Sequence, residues 1–205
     1  MPKLGMAPIR RRQLVDAAIA VIHDDGFHQA TVARIAKRAG ISAGMVHHYF
    51  TDKDDLFIAT MRHLLMEFKA DAVARLAAAS TPTARIFAII DASFSDTQFD
   101  ERVFGVWLAL YGNARQSDRL QKILLVYHRR LRSNLVHDLR RLLDERAATR
   151  LADGIAAMID GLWLRYALTG KPKDPEEPRT MTRDYVSATL DQALVSGPAM
   201  IRAAS

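Results

Sequence analysis

The residues from Thr31 to Leu56, TVARIAKRAGISAGMVHHYFTDKDDL, constrain this chain more than any others. They read as two short helices joined by a turn, with a third helix starting directly after. Thr31 suits the cap of the first helix, because its hydroxyl can accept from a backbone N–H that a helix start leaves without a partner. Ile35, Ala36 and Ala39 then give one apolar face, and Ala36 is small enough for a second helix to cross close above it. Gly40 stops the first helix, where a residue without Cβ enters the left-handed region at least cost. Ile41 fills the corner, Ser42 caps the second helix, and Val46 and Phe50, four apart, face inward. So short a turn makes the two helices cross steeply, the arrangement that lets the second enter the DNA major groove. Asp52 caps the third helix, and Asp54 and Asp55 in its first turn complement the positive helix end.

The remaining sequence predicts an all-α fold. Apolar positions recur three and four apart nearly throughout, and alternation at period two is missing. Nine helices are expected: about Ile9–His23, the two of the helix-turn-helix, Lys53–Ala78, Pro82–Phe94, one carrying Phe104 to Tyr111, Asp118–Leu143, Ala147–Leu168 and Met181–Leu194. The three prolines of KPKDPEEP, Lys171 to Pro178, predict an exposed loop after a stop at Gly170. The organisation read from this is a DNA-binding domain over residues 1–52 and an effector-binding and dimerisation domain over residues 53–205. Small and apolar positions on the last two helices, Ala152, Ile155, Ala156, Tyr185, Ala188 and Leu190, suit a four-helix bundle across a two-fold axis.

Charge and composition exclude several classes. The net charge is +6, and residues 1–53 hold eight Lys/Arg against four Asp/Glu, so +4 of that excess sits at the N-terminal end. Such a balance permits a nucleic-acid partner. There is no cysteine, and hence no disulfide frame or thiolate chemistry. No apolar run is long enough to span a membrane, and the N-terminus lacks the apolar core of a signal peptide, so a cytoplasmic protein without a membrane partner is expected. His47 and His48 are neighbours on a helix and point about 100° apart, so they cannot chelate one ion. The other histidines are scattered, and no metal site or cofactor is expected. No nucleophile, zinc or phosphate-loop motif indicates an enzyme.

Gly40-Ile41-Ser42, Gly44, Tyr49-Phe50, Lys53 and Leu56 resemble the N-terminal pattern of TetR-type transcriptional repressors. MPKLGM, IRRRQL, HHYF, RRLRSNLV and IDGLWLR, spread from Met1 to Arg165, are similar to the choline-responsive branch of that family, which controls glycine betaine synthesis genes in osmotic stress. The resemblance implies a homodimer on a palindromic double-stranded operator, a small-molecule pocket in the C-terminal part, and no enzymatic activity. His47 departs from the pattern, since recognition helices of this family commonly carry an aromatic there. An imidazole can instead bond a phosphate or a guanine acceptor, which leaves the operator sequence open.

On the recognition helix, Ser42, Ala43, Gly44, Met45, His47 and His48 lie on the outer or leading surface. Ala43 and Met45 suit a thymine methyl. Lys53, with Tyr49, is the expected phosphate anchor. Arg34 faces outward as a DNA contact or a solvated charge, and Thr31 is a cap, a phosphate contact or both. Arg10, Arg11 and Arg12 read either as phosphate or minor-groove contacts or as a solvated basic helix start.

In the C-terminal part, Phe104, Trp107 and Tyr111 share one helix face, and Asp160, Trp163 and Tyr166 share another. Each aromatic alone reads as core. Asp160, however, is an acid inside the apolar run GIAAMIDGLWL and needs a partner. A quaternary ammonium, Arg165 and a backbone group are the alternatives, and Asp91 in IFAIIDASF poses the same question. Choline fits, since its charge makes no hydrogen bonds and sits against aromatic faces. A sensor of lipophilic cations that represses an efflux gene would show the same residues.

Overall fold

The computed structural model describes residues 6–169 and 174–196. Among them are nine helices and no strand: α1 (Met6–Asp25), α2 (Val32–Arg38), α3 (Ala43–Val46), α4 (Lys53–Ala78), α5 (Pro82–Ser93), α6 (Glu101–Asn113), α7 (Asp118–Leu139), α8 (Glu145–Thr169) and α9 (Glu176–Ser196).

Three boundaries differ from the sequence expectation by three residues or more, each for a local reason. Helix α1 starts at Met6, so Pro8 falls in its first turn, where a missing N–H costs nothing. Helix α7 ends at Leu139 rather than Leu143, and Asp144 takes the next start by accepting from Ala147 N at 2.9 Å. Helix α9 begins at Glu176, not Met181. Asp174 accepts from Glu176 N at 2.9 Å, so Glu176, Glu177 and Pro178 of KPKDPEEP form the first turn of α9, and Asp174 and Pro175 precede it. Residues 170–173, Gly170 among them, and the segment MPKLG lie outside the described residues.

The chain packs as two compact units. One takes in the described residues of Met1–Lys69 and Phe99–Tyr127, the other those of Ala70–Gln98 and His128–Ser205. Helix α6 and the first half of α7 therefore belong with the helix-turn-helix. The reason is a close helix crossing: α6 packs along α1, and at Gly105 a Cβ would already lie 3.5 Å from the His23 Cα. Leu14, Ala18, Ile22, Ile35, Ala36, Val46, Phe50, Leu56, Phe57 and Met61 are buried in this first unit, as the apolar spacing of α1, α2 and α4 predicts. In the second unit α9 packs on α5 and α8. Ile86, Ile90, Leu135, Ala152, Ile155 and Val186 are fully buried there. Asp138, 1 % exposed, is held by Arg85 at 2.8 Å, which compensates a carboxylate removed from water.

Candidate DNA interface and effector region

The helix-turn-helix is built by backbone chemistry. Thr31 Oγ1 accepts from Arg34 N and Ser42 Oγ accepts from Met45 N, both at 3.3 Å. Gly40 sits at φ +69. Its N–H donates to Lys37 O at 3.2 Å, and Ile41 N–H donates to Ala36 O at 3.0 Å. This paired arrangement consumes the carbonyls that a helix end leaves over. After it, α3 is a single α-turn, and its chain continues as tighter turns in which His48 N bonds Met45 O and Tyr49 N bonds Val46 O. Asp52 then accepts from Asp55 N at 2.6 Å, while Asp55 accepts back from Thr51 N at 3.2 Å, a reciprocal cap that fixes the start of α4.

The expected DNA-facing residues divide by what they touch. Ser42, Ala43, Gly44, Met45, His47 and His48 are exposed together, while Val46 and Phe50 anchor the same segment from beneath. Thr31 is the α2 cap. Arg34 is exposed but paired with Asp25 at 2.8 Å, a surface pair weak enough to be exchanged. Lys53 is turned inward. Its Nζ donates to Phe27 O at 2.5 Å and lies 4.2 Å from the centre of the Phe27 ring. Partial burial lowers its pKa from the usual lysine value. Tyr49 is half-buried, and its carbonyl accepts from Arg11 Nη1 at 2.7 Å. Of the other N-terminal arginines, Arg10 bonds Gln13, and Arg12 pairs with Asp16 at 2.8 Å and Glu67 at 3.4 Å.

Four aromatic residues of the first unit, Phe68, Trp107, Tyr111 and Tyr127, form a cluster. Trp107 meets Tyr127 edge-on at 5.0 Å and Tyr111 at 6.2 Å, and Tyr127 meets Phe68 at 6.3 Å. Phe104 instead packs on Phe99 at 5.5 Å. The sequence reading missed Tyr127, whose segment LLVYHRR shows a basic helix before it shows an aromatic one.

In the second unit the acids flagged by sequence have internal partners. Asp91 is held by Arg183 at 2.6 Å, and that guanidinium lies 4.9 Å from the centre of the Phe87 ring. Asp160 is paired with His128 Nε2 at 3.2 Å, rather than with Arg165. The carboxylate raises the His128 pKa above the usual histidine value, against the opposing effect of burial. Trp163 is 7 % exposed and donates its indole N–H to Gln98 O at 3.2 Å. Tyr166 donates to Glu177, and burial followed by that carboxylate pushes its pKa up to about 12.

Arg119 at the start of α7 lies 3.4 Å from both Asp52 and Asp55, so the first turn of α7 touches the cap that follows the recognition segment. Among the described residues no helix is long and apolar enough to cross a membrane.

Comparison with known proteins agrees with this geometry. Residues 14–60 match the model of bacterial regulatory proteins of the tetR family, and residues 82–191 match that of BetI-type transcriptional repressors, C-terminal. The HTH-type transcriptional regulator BetI of Brucella melitensis is 47% identical over 190 residues, which cover 93% of this chain and 96% of the relative. A transcriptional regulator from Pseudomonas aeruginosa PAO1 has the same fold at a TM-score of 0.78 and 25% identity, covering 90% of this chain and 91% of that one. A regulator from Saccharomonospora viridis, solved in complex with choline, matches at a TM-score of 0.77 and 18% identity, covering 88% and 96%. The family model over the C-terminal half and the near full-length relative settle the assignment: this chain is a transcriptional regulator, not an enzyme, and it belongs to the TetR family and, within it, to the BetI-type repressors.

Proposed function

We propose that this chain represses glycine betaine synthesis genes by binding a palindromic operator as a homodimer, and that choline or a related quaternary ammonium is its effector. The observation that carries the DNA reading is the exposed run Ser42–Ala43–Gly44–Met45 with His47 and His48, held on a capped turn by buried Val46 and Phe50. Base-edge contacts fall to Met45 and His47, and Ser42 and Thr31 lie where helix starts meet phosphate. Arg34 and Lys53 reach phosphate only by exchanging Asp25 and the Phe27 carbonyl.

One such segment reads few base pairs, so a dimer presenting two of them about 34–36 Å apart is needed for a specific site. The exposed apolar side chains Leu164, Leu168, Met181 and Tyr185 of α8 and α9 supply its surface. Of these, Tyr185 lines a groove of about 300 Å³ together with Leu143, Ala147, Leu151 and Thr189. Ala152, Ile155 and Leu190, nominated from sequence, are instead spent inside the protomer.

For the effector, the faces of Trp107, Tyr111 and Tyr127 are the chosen wall. A permanent cation cannot shed its charge by losing a proton, so its site must replace water with π faces, a carboxylate or both. The choline complex of the Saccharomonospora relative and the likeness to choline-responsive repressors support this ligand. Phe104, Asp160, Trp163 and Tyr166 are the remaining candidates. A ligand seated against α6 acts on the helix that packs along α1, so its binding and operator binding are coupled, and reciprocally so.

Footprinting on the gene's own upstream region tests the repressor. A protected palindrome with half-sites one turn apart is expected, and a salt-insensitive or unprotected region overturns it. Choline should raise the melting temperature and quench tryptophan fluorescence, and its neutral carbon isostere should do neither. Equal protection by the isostere overturns the cation site, and stronger protection by bulky lipophilic cations points to an efflux-gene repressor.

A further inference from the structure

Arg11 has the composition of a DNA contact and the geometry of something else. Its guanidinium donates to the Tyr49 carbonyl at 2.7 Å, across thirty-eight positions of sequence, and lies 4.5 Å from the centre of the Phe50 ring. Phe50 is 2 % exposed, so that ring is fixed by the core beneath it. The Tyr49 carbonyl lies where the recognition segment ends. Carbonyls there are left without intrahelical partners, and the helix dipole places its negative end there. Arg11 therefore supplies the donor and the positive charge that this end lacks, from α1, a helix held on α6 by the close crossing at Gly105.

We propose that Arg11 is a positioning residue for operator recognition: it clamps the C-terminal end of the recognition segment to α1 and so sets the angle at which Met45 and His47 meet base edges, without itself neutralising a phosphate. The proposal rests on the reading of α3 as the recognition element. A planar guanidinium meets both demands of the site, a directed N–H to a carbonyl and a flat cation on a ring face. The clamp holds an orientation, so its loss should cost specific binding more than non-specific binding. Non-specific binding depends on charge and tolerates a misplaced helix.

The experiment compares wild type and Arg11→Ala on operator DNA and on a scrambled duplex across a salt series, with amide hydrogen exchange of the DNA-free protein. The variant is expected to bind operator about tenfold more weakly at fixed salt. It should keep the wild-type affinity for scrambled DNA and the wild-type slope of log K against log salt. Amides of His48, Tyr49 and Phe50 should exchange faster, while those of Leu14 and Ile22 stay protected. A phosphate contact would flatten the slope by about 0.9 and weaken both DNAs alike, and either result overturns the proposal. Unchanged exchange at His48 to Phe50 overturns it without reference to DNA. A wild-type protein that shows no operator preference, with faster exchange in the variant, would sink the repressor reading and leave the clamp standing.

Discussion

Gly40→Ala isolates the backbone cost of the helix-turn-helix corner. Gly40 stands at φ +69, and nothing lies within 4 Å of where its Cβ would be, so a methyl group meets no obstacle. The whole effect must come from holding an L-residue in the left-handed region, about 1–2 kcal/mol. The loss of unfolded-state freedom offsets about 0.4–1 kcal/mol of that. The net destabilisation is about 1 kcal/mol, which for a chain of this size lowers Tm by about 2–4 °C. Gly26 supplies the control, with φ +78 and equally empty surroundings but a position after α1 rather than before α3. Thermal unfolding should give the two alanine variants the same loss, and Gly40→Asn a smaller one, because Asn tolerates this region. Operator affinity at 25 °C, well below both transitions, should fall only for Gly40→Ala, whose relief of strain rotates α3 against α2. If Gly40→Ala melted at or above wild type, or if Asn were no better than Ala, the strain argument would be wrong. Equal loss of operator affinity in Gly26→Ala would remove the link to recognition geometry.

The His128–Asp160 pair gives a pH dependence of defined sign. The folded pKa of His128 is raised, so its stabilisation is fully present below the unfolded value of about 6.5 and is lost as pH rises through the folded one. With the imidazole side 41% exposed, solvent screening holds the pair to under about 1 kcal/mol. The Tm difference between wild type and Asp160→Asn should be largest near the acid end of a pH series and vanish at the alkaline end, and a difference that grows with pH contradicts the assignment. Trp163→Phe removes the indole N–H from the Gln98 carbonyl and should cost about 1 kcal/mol in thermal unfolding while leaving choline binding within a few-fold. Trp107→Ala should abolish the choline response and retain operator binding under the same titration, and the opposite ranking of the two tryptophans would move the effector site. Leu168→Glu, at a side chain 65% exposed in one protomer, should yield a folded monomer in sedimentation, whereas a dimer that survives it places the interface elsewhere.

The DNA-binding half was legible because its information is local. A Thr cap, a Gly stop, a Ser cap and two apolar residues four apart each act within one turn of chain, so spacing alone locates Thr31, Gly40, Ser42, Val46 and Phe50 in their observed roles. What sequence could not supply was the direction of long cations. Arg11, Arg34 and Lys53 all look like phosphate contacts as letters. In the structure they reach Tyr49, Asp25 and Phe27, partners separated from them by chain that only the packing of α1 against α2 and α4 brings near.

The same limit explains why the half-buried acids Asp91 and Asp160 showed a need for a partner without showing which one. An acid on an apolar helix does demand a positive partner, and both Asp91 and Asp160 have one. The partner, however, came from a distant helix each time: Arg183 of α9 and His128 of α7. Helical periodicity reports which face a residue occupies but not which helix covers that face, so the charge demand is visible in one segment and its answer is not. A cationic effector must therefore either displace an internal cation or bind where charge is met by aromatic faces. Displacing Arg183 would leave a guanidinium to be rehoused, and displacing His128 only requires the imidazole to lose its proton. The proposed Trp107–Tyr111–Tyr127 wall is of the second kind, since it meets a permanent cation with aromatic faces.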